Sequence, residues 1–322
     1  MIQRPCDICG NTRGHSLHYP REMMFGTEEV FEYLECGYCG CLQITEIPAD
    51  LGRHYPADDY YSYSPPKQKK YPGWVLKARH SRTRHSLGKR SLLGGLLSFF
   101  TKRESQHFDW FRRAGVDLDS RIVDIGCGAG KLLLQLRRDG FSNLLGADPF
   151  IAGEIDYGDG LRIKKASLSE LEGPFDLIML HHSYEHMPDP KGVLMELRRL
   201  VADDGMVLVR IPVADSYARR KYGVHWFNWD PPRHLYLHTV RSISVLAEMA
   251  GFELAEVVYD SGMLQFGSEG RLRRSLLPGN RGPVHAGAEF SPAEREAVSG
   301  FVEQLNLLRD GDTAAFYLRP KK

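Results

Sequence analysis

The sequence lacks a long apolar run and an excess of one charge, and it has one cysteine beyond residue 41. Its longest strongly apolar stretch, Leu92–Phe100, has nine residues, far short of the roughly 20 that span a bilayer. Residues 1–6 lack the apolar core of a signal peptide. The 42 Lys and Arg nearly balance the 41 Asp and Glu, which excludes a global attraction to nucleic acid or anionic membrane. We therefore expect a cytoplasmic protein.

The composition is that of a folded globular chain, with 42% hydrophobic and 26% charged residues among 322, and it excludes a disordered or fibrous protein. Changes in composition along the chain predict three parts. Residues 1–50 form a cysteine-rich metal module, residues 51–104 a connector rich in Tyr and Pro followed by a basic segment, and residues 105–322 an α/β domain. Two stretches of this domain, 212–238 and 261–312, are predicted insertions, the first of them a lid.

The α/β domain is predicted from short apolar strands that alternate with helical stretches. This alternation is typical of a doubly wound, mostly parallel, Rossmann-like sheet, whose ligands bind at the carboxyl ends of the strands. The predicted strands are 121–125, 143–147, 162–166, 175–180, 205–211, 252–259 and 313–318, and the main predicted helices are 131–138, 193–201 and 242–250.

Four N-terminal cysteines form two copies of the pattern C-x-x-C-G, at Cys6 and Cys9 and at Cys36 and Cys39. Each tight turn presents two thiolates, and the glycine that follows can adopt a positive φ. Together the two turns predict a closed, zinc-ribbon-like site in which four cysteines bind a structural Zn²⁺. Iron in place of zinc and a set of reduced thiols are the alternatives. Cys41 is a spare cysteine or a register alternative to Cys39.

A glycine turn between the first predicted strand and its helix is the main candidate for cofactor binding. Gly126, Gly128 and Gly130 allow a tight turn and a close approach of a ligand to the backbone. The next residue is Lys131, where the dinucleotide fingerprint requires glycine or alanine, so the pattern disfavours a nicotinamide cofactor. Asp148 ends the second strand, where a carboxylate can accept hydrogen bonds from ribose hydroxyls.

At these residues the sequence resembles the class I S-adenosylmethionine-dependent methyltransferases. The resemblance covers about residues 105–260 and is closest to a bacterial subgroup with an N-terminal C-x-x-C…C-x-x-C zinc module. It implies a seven-stranded sheet whose last strand is antiparallel. The motifs that carry it are 123–130, 146–149, 175–178, 185–190, 205–212 and the Pro-x-His segment 232–234.

The resemblance also implies which residues contact S-adenosylmethionine. Asp124 and the glycine loop, with Gly126, Cys127, Gly128 and Gly130, would face its amino-acid end. Asp148 and Pro149 would face the ribose, Ser167 and Leu168 the adenine, and His181 the sulfonium. Many family members carry an acid where this chain has Ser167. From its place inside the turn, Cys127 itself is interpreted as a small packing residue.

Methyl transfer requires that the acceptor be positioned, and that a base be present when the acceptor must lose a proton. His186, beside Glu185, follows the fourth predicted strand and is the candidate base, with Glu185 orienting it. The alternative is that His186 only caps or packs the next helix. The aromatic segment 225–238 predicts a loop over the substrate, with His225 or His234 facing the pocket. In the alternative, its tryptophans are core residues.

The predicted acceptor is a small or glycan-like molecule, including a lipid-linked sugar, as the subgroup resemblance suggests. Eleven Lys and Arg with no acid lie between Lys67 and Arg103, and segment 89–103 resembles a peripheral membrane contact. One alternative is an RNA methyltransferase that uses this basic segment, although the segment shows no basic motif with regularly interleaved aromatic residues that would favour nucleic acid. Another is a non-catalytic zinc- and cofactor-binding interaction protein. The methylated element and the oligomeric state stay open.

Overall fold

The computed structural model describes residues 4–55, 71–89, 91, 94–96, 106–268 and 290–322. Three predicted features lie wholly or largely outside these ranges. They are the tyrosine-rich part of the connector at 56–70, the membrane contact through 89–103, and residues 269–289 of the second insertion.

The strands are β1 (Ser16–His18), β2 (Tyr33–Glu35), β3 (Leu42–Ile44), β4 (Arg121–Ile125), β5 (Asn143–Ala147), β6 (Ile155–Asp156), β7 (Arg162–Lys164), β8 (Phe175–His181), β9 (Val201–Pro212), β10 (Tyr236–Leu237), β11 (Phe252–Tyr259) and β12 (Thr313–Pro320). The α-helices are α1 (Gly73–Ser86), α2 (Gln106–Ala114), α3 (Lys131–Asp139), α4 (Pro190–Leu200), α5 (Tyr217–Tyr222), α6 (Val240–Met249) and α7 (Pro292–Leu307).

The chain divides into two compact units, each built from separate stretches of sequence. The first contains residues 1–56, 182–194 and 210–316, and the second contains residues 57–181, 195–209 and 317–322.

A four-stranded sheet of order β1-β2-β3-β10 belongs to the first unit. Its neighbouring strands are antiparallel, with Leu34 opposite Gln43 and Leu42 opposite Leu237. The first three strands come from the cysteine-rich N-terminus, and the fourth comes from the segment with the predicted catalytic histidines. The sheet therefore extends well beyond residues 1–50.

A mixed sheet of eight strands has the order β11-β12-β9-β8-β4-β5-β7-β6. Its centre is parallel, because β4 pairs in parallel with both β5 and β8, and β5 pairs in parallel with β7. The predicted doubly wound, mostly parallel architecture is confirmed, with one strand more than the seven expected. The addition is β6, a two-residue antiparallel edge strand on β7, which is too short to show a periodic pattern.

The central strands are apolar along their length because both faces of a parallel sheet are covered. In β4, Ile122 and Val123 have no exposed surface, and the same holds for Leu177 and Ile178 of β8. Such runs place the core at the middle of the sheet. They also leave the polar residues to the strand ends, where Asp124, Asp148 and His181 lie.

Most predicted element bounds agree with the structure, and the largest difference is at the start of β9. The sequence predicts a strand from residue 205, whereas β9 begins at Val201 and includes Asp203 and Asp204. Two adjacent aspartates favour a turn by local propensity, but sheet context overrides that preference here.

Of the helices that the structure describes, none is long and apolar enough to span a bilayer.

Candidate functional site

The predicted glycine loop joins β4 to α3, and its three glycines have φ values of +71°, +54° and +71° at Gly126, Gly128 and Gly130. These are left-handed conformations that other residues rarely adopt. A Cβ atom on Gly130 would also lie 2.3 Å from Cδ1 of Ile163. The backbone at this position therefore requires glycine.

Asp148, at the end of β5, supports this loop from the neighbouring strand. Its Oδ2 accepts a hydrogen bond of 2.8 Å from the amide of Gly128, and its Oδ1 accepts one of 2.9 Å from the amide of Phe150. The carboxylate is 4% exposed. Each oxygen retains a lone pair, so Asp148 can accept further hydrogen bonds.

Asp124 lies in β4, just before the loop, and is buried at 3% exposure. Its Oδ1 atom has no hydrogen-bond partner among the residues that the structure describes. Burial, with the charge of Asp148 as a second cause, raises the pKa of Asp124 to about 8. A buried carboxyl with an open oxygen suits a ligand that brings positive charge or N–H donors.

The other predicted cofactor residues belong to the same unit. Cys127 is half-buried within the loop, and burial raises the pKa of its thiol, consistent with a packing residue. Ser167 begins the short turn that contains Leu168. His181, at the end of β8, lies against the ring of Trp110 at a centroid distance of 4.6 Å.

Three residues near this loop were missed by sequence reasoning. Tyr157 donates a hydrogen bond of 2.5 Å to the carbonyl of Ala129 in the loop. Phe150 follows the exposed Pro149 and is itself 77% exposed, so its ring face is accessible. Glu170 accepts hydrogen bonds from the amide and hydroxyl of Ser167. An acid is therefore present near Ser167, three residues later than the family pattern indicates.

The four predicted metal ligands, Cys6, Cys9, Cys36 and Cys39, form one cluster, and their Sγ atoms all lie within 4.8 Å of one another. The distance between Sγ atoms is 3.7 Å for Cys6 and Cys39, and 3.5 Å for Cys9 and Cys36. Tetrahedral zinc with Zn–S bonds of about 2.3 Å separates its sulfurs by about 3.8 Å. The sulfur positions therefore fit such an ion.

The two cysteine turns have the same backbone geometry. Gly10 and Gly40 have φ values of +72° and +71°, as the repeated C-x-x-C-G pattern predicts. Their amides donate to the carbonyls of Cys6 and Cys36 at 2.8 and 2.9 Å. Cys41 lies outside the four-sulfur cluster, and its thiol donates to the carbonyl of Leu42.

A second group of potential ligands brings together three of the four predicted catalytic residues. One carboxylate oxygen of Glu185 and one ring nitrogen each of His186 and His234 lie within 4.8 Å of one another. The amide of Leu235 donates to the carbonyl of Glu185 at 2.8 Å, which connects the turn after β8 to the segment before β10. The fourth predicted residue, His225, is half-buried at the end of a short turn and is not a member of this group.

The electrostatics of this group are set by burial and by neighbouring histidines. Burial acts to raise the pKa of Glu185, but His182, His186 and His234 outweigh it and lower the pKa to about 2. Burial, with His186 as a second cause, lowers the pKa of His234 to about 4. At neutral pH the carboxylate is therefore ionised and the His234 ring is neutral.

The tryptophans of segment 225–238 are core residues, as the alternative interpretation of that segment expects. Trp226 and Trp229 are 0% and 1% exposed. The indole of Trp226 donates to Asp312 at 3.0 Å, and that of Trp229 donates to the carbonyl of Gly223 at 2.8 Å. These rings give no open surface on which a sugar could stack.

Arg233 anchors the same segment inside the first unit. It is 1% exposed and pairs with Asp230 and with Glu22, which is fully buried. Glu22 also accepts hydrogen bonds from the amides of Met24, Phe25 and Thr27. One buried ion network therefore holds an N-terminal loop and the segment before β10 together.

Residues 97–257 match a family described as a methyltransferase domain. A ubiquinone biosynthesis O-methyltransferase of Caulobacter sp. (strain K31) is 29% identical over 125 residues, which are 35% of this chain and 50% of that protein. The corresponding protein of Ralstonia nicotianae is 28% identical over 169 residues, covering 46% of this chain and 69% of the relative. The matched part of this chain thus spans about half the length of the Caulobacter protein.

Among solved structures, this chain is similar to the magnesium protoporphyrin IX methyltransferase of Synechocystis PCC 6803 with bound SAH. The sequence identity is 16% and the TM-score 0.40, and the match covers 66% of this chain and 92% of the other.

Proposed function

Because the chain belongs to this methyltransferase-domain family, whose match spans half of its length, we propose that it transfers a methyl group from S-adenosylmethionine to a small-molecule acceptor. The observation that carries the proposal is the glycine loop between Asp124 and Asp148. Its glycines have positive φ values, and the two carboxyl groups come from the ends of neighbouring strands. Asp148 supports the loop, and Oδ1 of Asp124 is buried without a hydrogen-bond partner among the described residues.

In this proposal Asp124 and the glycine loop face the amino-acid end of the cofactor, and Asp148 accepts hydrogen bonds from its ribose hydroxyls. The exposed ring of Phe150 offers a flat face for the adenine beside Ser167 and Leu168. His181 lies on the side of the sulfonium. When bound, S-adenosylmethionine supplies an activated methyl group, so the chain's main task is to position the acceptor.

We propose that Glu185, His186 and His234 act on the acceptor. Glu185 and His186 lie in the turn after β8, and the Leu235 amide, next to His234, donates to the carbonyl of Glu185. A hydroxyl acceptor must lose its proton during methyl transfer, and an ionised carboxylate with imidazoles can receive that proton or stabilise the resulting charge. The relatives named as O-methyltransferases support oxygen as the methylated atom. A glycan-like or lipid-linked acceptor stays a prediction from the subgroup resemblance.

We further propose that the four-cysteine cluster binds one structural Zn²⁺. Four thiolates leave no open position for a substrate, so this ion would stabilise the β1-β2-β3-β10 sheet and take no part in methyl transfer.

The proposed cofactor is tested by calorimetric titration of the purified chain with S-adenosylmethionine, S-adenosylhomocysteine and NADH. We expect the two sulfur compounds to bind at micromolar concentrations and NADH to give no heat of binding, because Lys131 replaces the glycine of the dinucleotide fingerprint. Binding of NADH alone would overturn the proposal.

The affinity for S-adenosylmethionine should increase with pH between about 6 and 7.5, by up to about tenfold per pH unit. In the free protein Asp124 has a pKa of about 8 and is mostly protonated in this range, whereas a cationic ligand favours its ionised form. Binding therefore releases a proton, and the effect ends as the pH rises through the free-state pKa. Calorimetry at several pH values measures it, and Asp124→Asn should remove the dependence. An equal slope in that variant would assign the proton to another group.

A further inference from the structure

The carboxylate of Glu185 is the most unusual buried charge in the first unit. It is 1% exposed, and neither of its oxygens has a hydrogen-bond partner within the described part of the chain. Nδ1 of His182 lies 3.5 Å from its Oε1. A buried ionised carboxylate is strongly destabilising unless it is paired or coordinates a metal. The contact from His182 reaches Oε1 alone, so Oε2 in particular requires a further partner.

The two imidazoles beside it are oriented by their other ring nitrogens. Nδ1 of His186 lies 2.8 Å from the carbonyl of Arg233, and Nδ1 of His234 lies 2.7 Å from the carbonyl of Asn228. A carbonyl only accepts hydrogen bonds, so each Nδ1 carries the proton and each Nε2 of a neutral ring carries a lone pair. Histidines that bind metals are oriented by this type of hydrogen bond.

We propose that Glu185, His186 and His234 bind a divalent transition-metal ion at a second metal site, distinct from the four-cysteine cluster. One carboxylate and two imidazoles are ligands that zinc, manganese and iron accept, whereas magnesium prefers oxygen alone. Three protein ligands leave open coordination positions, which is typical of catalytic and substrate-binding sites and differs from the closed site of four thiolates.

Other polar and charged side chains lie close to the three proposed ligands. Asp230 Oδ2 lies 3.9 Å from Nε2 of His234, and the hydroxyl of Tyr55 lies 3.4 Å from Nδ1 of His186. Arg233, next to His234 in the chain, is also buried, with Asp230 and Glu22 as its partners. The net charge contributed by the ligand set is that of one carboxylate, which favours a divalent cation with an anionic oxygen as a further ligand.

The distances allow binding after a small adjustment. Nε2 of His234 lies 4.0 Å from Oε1 of Glu185, whereas two ligands on one tetrahedral zinc ion are about 3.3 Å apart. Ligation would therefore draw these two side chains together by less than about 1 Å.

This inference deepens the proposed function and rests on it for the identity of the reaction. A hydroxyl acceptor that coordinates the cation would release its proton to water more readily, because a bound cation lowers the pKa of its oxygen ligand. The imidazoles would then act as metal ligands, and a nitrogen lone pair that binds the cation is not available to take a proton. The acceptor class would be a molecule with an ionisable hydroxyl.

The experiment is equilibrium dialysis of the full chain against low micromolar Zn²⁺, followed by metal analysis. We expect about two zinc ions per chain for the wild type, and about one for Glu185→Gln and for His186→Gln. The matched control is His225→Gln, from the same histidine-rich segment but outside the ligand group, which should keep about two. Co²⁺ loading reports the thiolate site separately through its sulfur-to-metal charge-transfer band, which should be equal in all four proteins.

Equal zinc content in the wild type and both ligand variants would overturn the metal site and leave Glu185 with His182 as its contact. Thermal unfolding of each variant shows whether a lower zinc content reflects lost ligands or lost folding. His186 is only half-buried, so His186→Gln still tests the site if the Glu185→Gln variant misfolds. Titration of the same samples with S-adenosylmethionine separates the two proposals. Two zinc ions without cofactor binding would contradict the proposed function alone, and cofactor binding with one zinc ion would contradict the second site alone.

Discussion

Replacing Asp148 with alanine should weaken the binding of S-adenosylmethionine by at least about tenfold. A hydrogen bond to a charged group contributes about 1.5–3 kcal/mol, and this carboxylate is proposed to accept such bonds from the ribose. The substitution also removes the acceptor of the Gly128 and Phe150 amides, so the loop loses its support in the same step. Calorimetric titration measures the loss.

The matched control is Asp156→Ala. Asp156 also accepts a hydrogen bond from a backbone amide two residues later, that of Gly158 at 2.8 Å, but it lies on the exposed edge strand β6. Its substitution should leave the affinity unchanged. If Asp148→Ala bound the cofactor as tightly as the wild type, the end of β5 would not be the ribose site.

Replacing Cys36 with serine should abolish high-affinity metal binding at the thiolate cluster and destabilise the sheet built around it. Zinc binding contributes about 10–16 kcal/mol of apparent free energy in zinc-finger peptides at neutral pH, so the loss of one of four ligands is a large effect. Cys36 also accepts hydrogen bonds from the amides of Tyr38 and Cys39. The charge-transfer band of the Co²⁺-loaded chain and the unfolding temperature measure the two effects.

Cys41→Ser is the control for this prediction. Cys41 is fully buried in the same module, but its thiol donates to the carbonyl of Leu42, which a serine hydroxyl can also do. The charge-transfer band should therefore persist. A band lost in Cys41→Ser and kept in Cys39→Ser would mean that the metal uses the alternative register, with Cys41 in place of Cys39.

Sequence reasoning predicts local features of this fold well. The bounds of β4, β5 and β11 agree with the predicted strands, because apolar runs between turns directly reflect a buried parallel strand. The positive φ of Gly10 and Gly40 follows from the spacing of the cysteines. In each case the residues that determine the structure are neighbours in the chain.

Features that depend on distant residues could not be predicted. Glu185 and His234 were each identified as candidates, but their proximity depends on a backbone hydrogen bond across 50 residues, from Leu235 to Glu185. The burial of Trp226 depends on Asp312, 86 residues away. The sequence pattern of a loop is the same whether its aromatic rings face a substrate or the core, so only tertiary contacts decide.

The pairing of β10 with β3 has a consequence for how the chain folds. The cysteine turns are complete once the first 41 residues have left the ribosome, yet their sheet lacks its last strand until Tyr236 and Leu237 have been made. Closing a loop of that length is entropically costly and slow compared with local turns. The N-terminal sheet should therefore stay incomplete through most of synthesis. A fragment that ends before residue 236 would expose the unpaired edge of β3 to other chains.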